Sequence, residues 1–354
     1  MAITAGMVKE LRELSGAGMM DCKKALVEAD GNVEKAMDLL REKGLGKAAK
    51  KSDRLASEGL VSVIVNDDFT KATITEINSE TDFVAQNDGF VKFTKSVTNH
   101  IQATCVNNHD ELSKTEVDGV AFEEYFGTEV SKIGENVVVR RFATIEAGEN
   151  GVVNGYEHSN GRVGVIIGAA CDSEATAKGA VDLLKNLAMH ASAMKPTVLS
   201  YKDLDPEFIE KENIAIKADI EKGNEELRRL GKHEKKIPQF VSRLQLTDEV
   251  MAEAKEKIEA ELKAQGKPEK IWDRIVPGQI DRFISDNTQL DQQLALLSQF
   301  FVMDDKKSVE QVIEEKAKQL GGTIELVEYI RYDLGEGLEK KEDDFAAEVA
   351  AQLQ

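Results

Sequence analysis

The side chains best suited to chemistry are five histidines, His100, His109, His158, His190 and His233, and three cysteines, Cys22, Cys105 and Cys171. They are scattered, and none stands at the short spacing with which a zinc site gathers its ligands. An odd, sparse cysteine set predicts free thiols in a reducing compartment, not a disulfide framework. Loops that would cradle a phosphate are missing: there is no GxxxxGK[ST] and no GxGxxG after a strand. Neither GxSxG nor HExxH occurs. Acidic pairs are abundant because acidic residues are abundant, so none singles itself out as a general acid and base. The expectation is a chain that is not an enzyme, with no catalytic residue, no metal site and no cofactor.

Two apolar features suggest binding. Met19-Met20 follows the glycine-rich Gly16-Ala17-Gly18. Neighbours on a helix point about 100° apart, so both side chains fit poorly into one small core. Flexible methionines suit a contact surface; the alternative is that both are buried. The second feature is Thr81-Asp82-Phe83-Val84, where a strand pattern gives way to a helix pattern. An aromatic beside a carboxylate at such a junction could act as a wedge. Equally, Thr81 or Asp82 could be an N-cap and Phe83 a core residue.

The elements that position these residues are legible in the periodicity. Residues 4–44 read as three short helices: Thr4 caps the first, Asn32 the third, and Gly44 ends it. Lys47 to Arg54 reads as a charged linker. Leu60–Val65 and Ala72–Ile77 read as strands joined at Asp67-Asp68, the second half-buried. A helix carrying Phe90, Phe93, Val97 and Ile101 follows. Val137–Ile145, Val152–Tyr156 and Val163–Ala169 are strand-like, and a helix covers Val181–Met194. From Asp205 to Ile284 the chain reads as an antiparallel helical hairpin with breaks at Gly223, Gly231 and Pro238. Val309–Leu320 is a helix, Ile324–Asp333 a strand, and Asp343–Leu353 an amphipathic helix.

The fold expected is α+β. The organisation is an N-terminal three-helix module and linker (1–54), a first core subdomain (55–145) and a related second one (146–204 and 285–334). The second is interrupted by the helical hairpin (205–284), and a C-terminal helical module (335–354) closes the chain.

Net charge is −19, and so acidic a surface repels nucleic acid. It is uneven: residues 1–54 hold 11 Lys and Arg against 9 Asp and Glu, a charge of +2, so the remainder carries −21. A slightly basic module on an acidic body suits two faces meeting different patches of one partner. No run reaches the roughly 18 apolar residues of a membrane helix, and Met1–Ala5 lead straight into a helix without leader character. A cytoplasmic protein with no membrane partner is expected.

Five motifs carry a resemblance: MVKELRELSGAGMMDCKKAL near the start, INSETDFVAQND, KIGENVVVRR (132–141), AMHASAMKP (188–196) and YDLGEGLEKKEDDFAAEVAAQ at the end. In this order they resemble the elongation factor Ts family, over about residues 1–220 and 263–354. The resemblance implies a guanine-nucleotide exchange factor that empties the translation GTPase elongation factor Tu, in its GDP-bound or nucleotide-free form, without touching nucleic acid. It implies a first module similar to ubiquitin-associated domains, docking through Lys9, Met19, Met20 and Lys23. Asp82 and Phe83, flanked by Thr81 and Val84, would intrude near the magnesium site of Tu. His190 would meet the third domain of Tu, and the segment around Gly335–Ala350 its G domain. Gln86 stands where many members have a basic residue, and the hairpin is longer by roughly 40 residues within 220–262. Two rivals are a ubiquitin-like-binding adaptor, from residues 4–44, and a nucleic-acid-associated factor, against which the charge argues.

Overall fold

The computed structural model describes residues 3–15, 17–49 and 54–338. The C-terminal helix expected at Asp343–Leu353 and part of the linker lie outside them. The described chain mixes helix and sheet. It divides into one compact unit formed by residues 1–170 and 327–354, and a second formed by 171–326.

The first unit opens with α1 (Ala5–Ser15), α2 (Met19–Glu28) and α3 (Val33–Ala49). Thr4 Oγ1 accepts from the Met7 N–H, and Asn32 Oδ1 from the Lys35 N–H, so both expected caps form. Their core is Val8, Leu11, Cys22, Ala25, Leu26, Ala29 and Ala36. Gly44 does not end α3, whose backbone stays helical to Ala49. One glycine costs a helix only about 1 kcal/mol, too little to stop it alone.

Strands β1 (Glu58–Val65) and β2 (Lys71–Ser79) pair antiparallel. Then come α4 (Asp82–Ala85), α5 (Asp88–Thr104), α6 (His109–Leu112), the small hairpin of β3 (Glu116–Val117) and β4 (Val120–Ala121), and α7 (Phe122–Ile133). Strand β5 (Val137–Glu146) closes a three-stranded sheet of order β1-β2-β5. Phe90, Phe93, Val97 and Ile101 of α5 pack with Ile77, Phe122 and Val130. The half-buried alternation expected for β2 is replaced by burial of both faces. Ile77 meets the helices on one side. On the other, Ala72 and Ile74 meet Val153 and Ile166, which belong to β6 (Gly151–Glu157) and β7 (Val163–Cys171).

The second unit begins with α8 (Glu174–Met194), capped by Ser173, whose hydroxyl accepts from the Thr176 N–H. The expected hairpin is three helices: α9 (Pro206–Arg229), α10 (Asp248–Ala264) and α11 (Trp272–Asp286). Helix α9 runs through Gly223 without a break. Its return partner is not a helix but extended chain. Buried Asn224 donates to the Lys235 carbonyl and accepts from the Lys235 N–H, both at 2.7 Å, so one amide side chain does the work of a strand neighbour. Pro238, just beyond, lacks the N–H a helix would need. Then come α12 (Gln289–Leu294), the hairpin of β8 (Phe300–Phe301) and β9 (Asp304–Ser308), and α13 (Val309–Leu320).

Strand β10 (Ile324–Asp333) leads the chain back and completes a second sheet of order β10-β7-β6. Its end is tied to the first sheet through Glu76, which is fully buried. The β2–β5 register slips at Glu76/Ile77, setting Arg140 and Arg141 against one partner. Adjacent strand residues ordinarily face opposite ways, and this bulge is what lets both arginines reach one carboxylate. Arg140 Nη1 donates to its oxygens at 2.9 and 3.0 Å and Arg141 Nε at 2.6 Å. The Gly335 N–H donates at 2.8 Å. Arg141 also holds the Asp333 carbonyl at 3.1 Å and lies 4.2 Å over the Tyr332 ring.

Removing one partner of a buried ion pair strands the others. Glu76→Ala is therefore expected to cost the first unit about 3–5 kcal/mol. Urea unfolding followed by circular dichroism checks this; an unchanged midpoint would make the cluster energetically idle.

Candidate functional site

The sequence junction at 79–86 becomes a tight turn from β2 into α4. Ser79 Oγ donates to the Thr81 carbonyl at 3.0 Å, and Thr81 is the N-cap, its hydroxyl accepting from the Val84 N–H at 3.4 Å. Val84 is half-buried against the Phe90 cluster, and Ala85 is buried. Asp82 and Phe83 point the other way. Asp82 is exposed, and Phe83 is 81% exposed. The capping expectation for Thr81 is met, but the core placement that went with it is not: α4 turns Val84 and Ala85 inward and leaves Phe83 outside.

Two carboxylates brace this turn against the loop after α7. Glu135 accepts from the Thr81 N–H at 3.0 Å and from its hydroxyl at 2.7 Å. Glu80 accepts in return from the Asn136 N–H. Arg54 pairs with Glu80 at 3.4 Å, and its carbonyl accepts from Asn136 Nδ2 at 2.7 Å. Sequence reading missed Glu80, Glu135 and Asn136 as partners, although Glu135 and Asn136 lie in the KIGENVVVRR stretch.

On the three-helix module, Met19 is 59% and Met20 63% exposed. Leu14 and Val27 also face solvent, extending the apolar surface beyond the residues singled out from sequence. Lys9 and Lys23 are exposed, Lys9 pairing loosely with Glu13 at 3.8 Å. An exposed pair of that kind is worth little and holds Lys9 only weakly.

His190 is different. It lies in α8 and is fully buried. The Val302 N–H donates to its Nδ1 at 3.1 Å, so the ring proton sits on Nε2, which donates to Gln299 Oε1 at 3.0 Å. Gln299 in turn donates to the Gln293 carbonyl at 2.8 Å. Its ring centroid lies 5.7 Å from that of Phe301. The side chain does not reach solvent, but the β8–β9 hairpin it holds exposes Phe300, Val302 and Met303.

Among the described residues no group of three or more His, Cys, Asp or Glu gathers to hold a metal. No described helix is long and apolar enough to cross a membrane.

The family model for elongation factor Ts matches residues 80–237 and 235–336. The proteins named elongation factor Ts from Campylobacter curvus and Helicobacter hepaticus are 65% and 57% identical, over 100% and 99% of both chains. The one from Wolinella succinogenes is 57% identical over 99% of both. This chain belongs to the elongation factor Ts family. The family match contains Thr81–Val84, Glu135 and His190 but begins after the three-helix module; the relatives extend the likeness across it. Full-length coverage also places α9 and α10 within a length shared with these relatives.

Burial pulls the His190 pKa below its ordinary value of 6.5, against a smaller upward pull from Gln299. The folded state therefore prefers the neutral ring. That stability is complete above about pH 6.5 and is lost as pH falls from there toward the depressed folded value. Replacing His190 by Asn is expected to flatten the decline of the urea midpoint between pH 7.5 and 5, by at most about 1.4 kcal/mol per pH unit. Identical pH slopes for both proteins would assign the titration to other groups.

Proposed function

We propose that this chain is a guanine-nucleotide exchange factor for elongation factor Tu, with no chemical step of its own. Membership of the family supports the exchange role. The observation that carries the finer reading is the exposure of Phe83 on a capped single turn whose other apolar residues, Val84 and Ala85, pack inward. An aromatic held outward on a short, polar-braced turn offers a large contact area to a partner.

A GTPase holds its nucleotide through phosphate contacts and a magnesium ion. An exchange factor lowers nucleotide affinity by binding the empty form better, and the coupling is reciprocal: nucleotide lowers the affinity for the factor by the same free energy. Asp82 and Phe83 are the residues that intrude near the magnesium site, Phe83 filling a pocket and Asp82 contesting a polar position. Each tenfold loss of nucleotide affinity requires about 1.4 kcal/mol of such antagonism. Docking through Met19, Met20, Lys9 and Lys23 keeps the complex together while the nucleotide site is empty. His190 contributes to docking on the third domain of Tu through the hairpin it holds, since its own ring is enclosed. Rebinding of GTP then expels the factor. The C-terminal segment after Gly335 adds a further contact with the G domain. The protein works in the cytoplasm and needs neither nucleic acid nor membrane.

Release of a fluorescent GDP from elongation factor Tu, with and without this protein, tests the proposal; no acceleration would end it. Phe83→Ala is expected to melt close to wild type, within the roughly 0.5 kcal/mol typical of exposed positions. Its stimulated release is expected to fall at least tenfold, with a smaller loss of affinity for nucleotide-free Tu. A Phe83→Ala protein that exchanges at the wild-type rate would remove the wedge. Replacing Met19 and Met20 together by Ala should leave the melting temperature in place and weaken complex formation about tenfold or more. Unimpaired complex formation, measured by calorimetry, would take the module surface out of the interface.

A further inference from the structure

We propose that Glu135 is the positioning residue for the Asp82–Phe83 projection, an inference that rests on the exchange reading above. Phe83 has almost no packing to set its direction. Helix α4 has only four residues, far too few to hold a helix by its own hydrogen bonds. The direction of the projection therefore depends on what grips its first residues, and that is largely Thr81.

Thr81 has a single hydroxyl proton. Glu135 Oε1 takes it at 2.7 Å, which turns the oxygen's lone pairs toward the Val84 N–H. The other carboxylate oxygen accepts from the Thr81 backbone N–H at 3.0 Å. One side chain thus fixes both the backbone and the rotor of the N-cap, with charge-assisted bonds of the stronger kind. Glu135 is itself well placed to do so. Gly134 ends α7 at φ +90°, a conformation that favours glycine and turns the chain toward β2. Asn136, on the other side, is held by Glu80 and by the Arg54 carbonyl. The two junctions brace one another through reciprocal carboxylates. Without Glu135 the Thr81 hydroxyl rotates freely, the cap weakens and Phe83 samples many directions. The ordering then has to be supplied during the encounter with Tu, which slows nucleotide displacement.

The test uses the full-length chain and elongation factor Tu loaded with fluorescent GDP, with Glu135→Ala, Glu135→Gln, Phe83→Ala and the double variant Glu135→Ala/Phe83→Ala. Glu135→Ala is expected to lower stimulated release about tenfold, the loss appropriate to a charge-assisted hydrogen bond. Its affinity for nucleotide-free Tu should stay within about threefold of wild type, because the docking surface is untouched. Glu135→Gln, which keeps one acceptor oxygen, should fall between. The double variant should be no slower than Phe83→Ala, since a positioning residue has nothing left to position. Wild-type exchange by Glu135→Ala, or a full further loss in the double variant, overturns the inference. So does a rate defect that vanishes once corrected for the folded fraction; if Glu135→Ala does not fold, Glu135→Gln faces the same criteria. A defective Phe83→Ala beside a normal Glu135→Ala sinks the role of Glu135 alone. A normal Phe83→Ala sinks the wedge and the positioning together.

Discussion

A carboxylate with no access to water must be matched almost completely, because an unpaired buried charge costs far more than a domain can spare. Glu76 meets that demand by drawing on three separate stretches: its own strand, two consecutive arginines of β5, and the backbone of the turn at Gly335. The requirement propagates outward. The bulge at Glu76/Ile77 is needed for both guanidinium groups to arrive, and the turn after β10 must sit where its N–H points at Oε1. The first sheet, the end of the second and the start of the C-terminal segment are thereby held to one geometry. A hydrophobic contact, being non-directional, would not impose so exact a register.

That fixed frame is what allows the end of β2 to present side chains outward. Only two residues separate Ser79 from α4, and polar contacts of Ser79 and Thr81, one of them to Glu135, stiffen the junction beside the packing of Val84 and Ala85. The division of labour is plain within α4: Val84 and Ala85 secure the turn, while Asp82 and Phe83 are left exposed. The three-helix module follows the same plan, with Leu11, Cys22 and Leu26 inside and Met19 and Met20 outside. In the second unit, an enclosed histidine supports an exposed apolar hairpin tip.

Much of this is legible in the sequence where the signal is local. Caps at Thr4, Asn32 and Thr81 need only their own next turn, and Val309–Leu320 and Ile324–Asp333 are bounded by their own punctuation. Reading fails where the decisive partner is remote. Thr81 could be read as a cap, yet nothing nearby says that Phe83 stays outside, because that depends on where α5 lies. No element is expected over 106–133: α6 and the β3–β4 hairpin are too short to show a period, whereas α7 does carry one, in Phe122, Phe126, Val130 and Ile133, and this signal goes unused. Gly223 reads as a break but lies within α9; the chain turns at Gly231, at φ +65° and also expected as a break, and Asn224 then holds the returning Lys235. Glu76 alternates in step with Ala72 and Ile74, and nothing local says that its charge is matched; its partners, Arg140-Arg141, lie more than sixty residues on.

The chain leaves the first unit along β7 and re-enters it along β10, and these strands are neighbours in one sheet. Everything between them is a loop that must close before that edge can zip. Closure entropy grows only slowly with loop length, so the equilibrium penalty for this span is modest. The timing is affected more. During synthesis the β6–β7 hairpin emerges with an open edge, and Glu76 waits for a backbone N–H that lies 259 residues downstream. A sheet completed by its most distant strand assembles late. The Gly335 N–H is therefore the last of the Glu76 partners to be made, long after the arginines of β5.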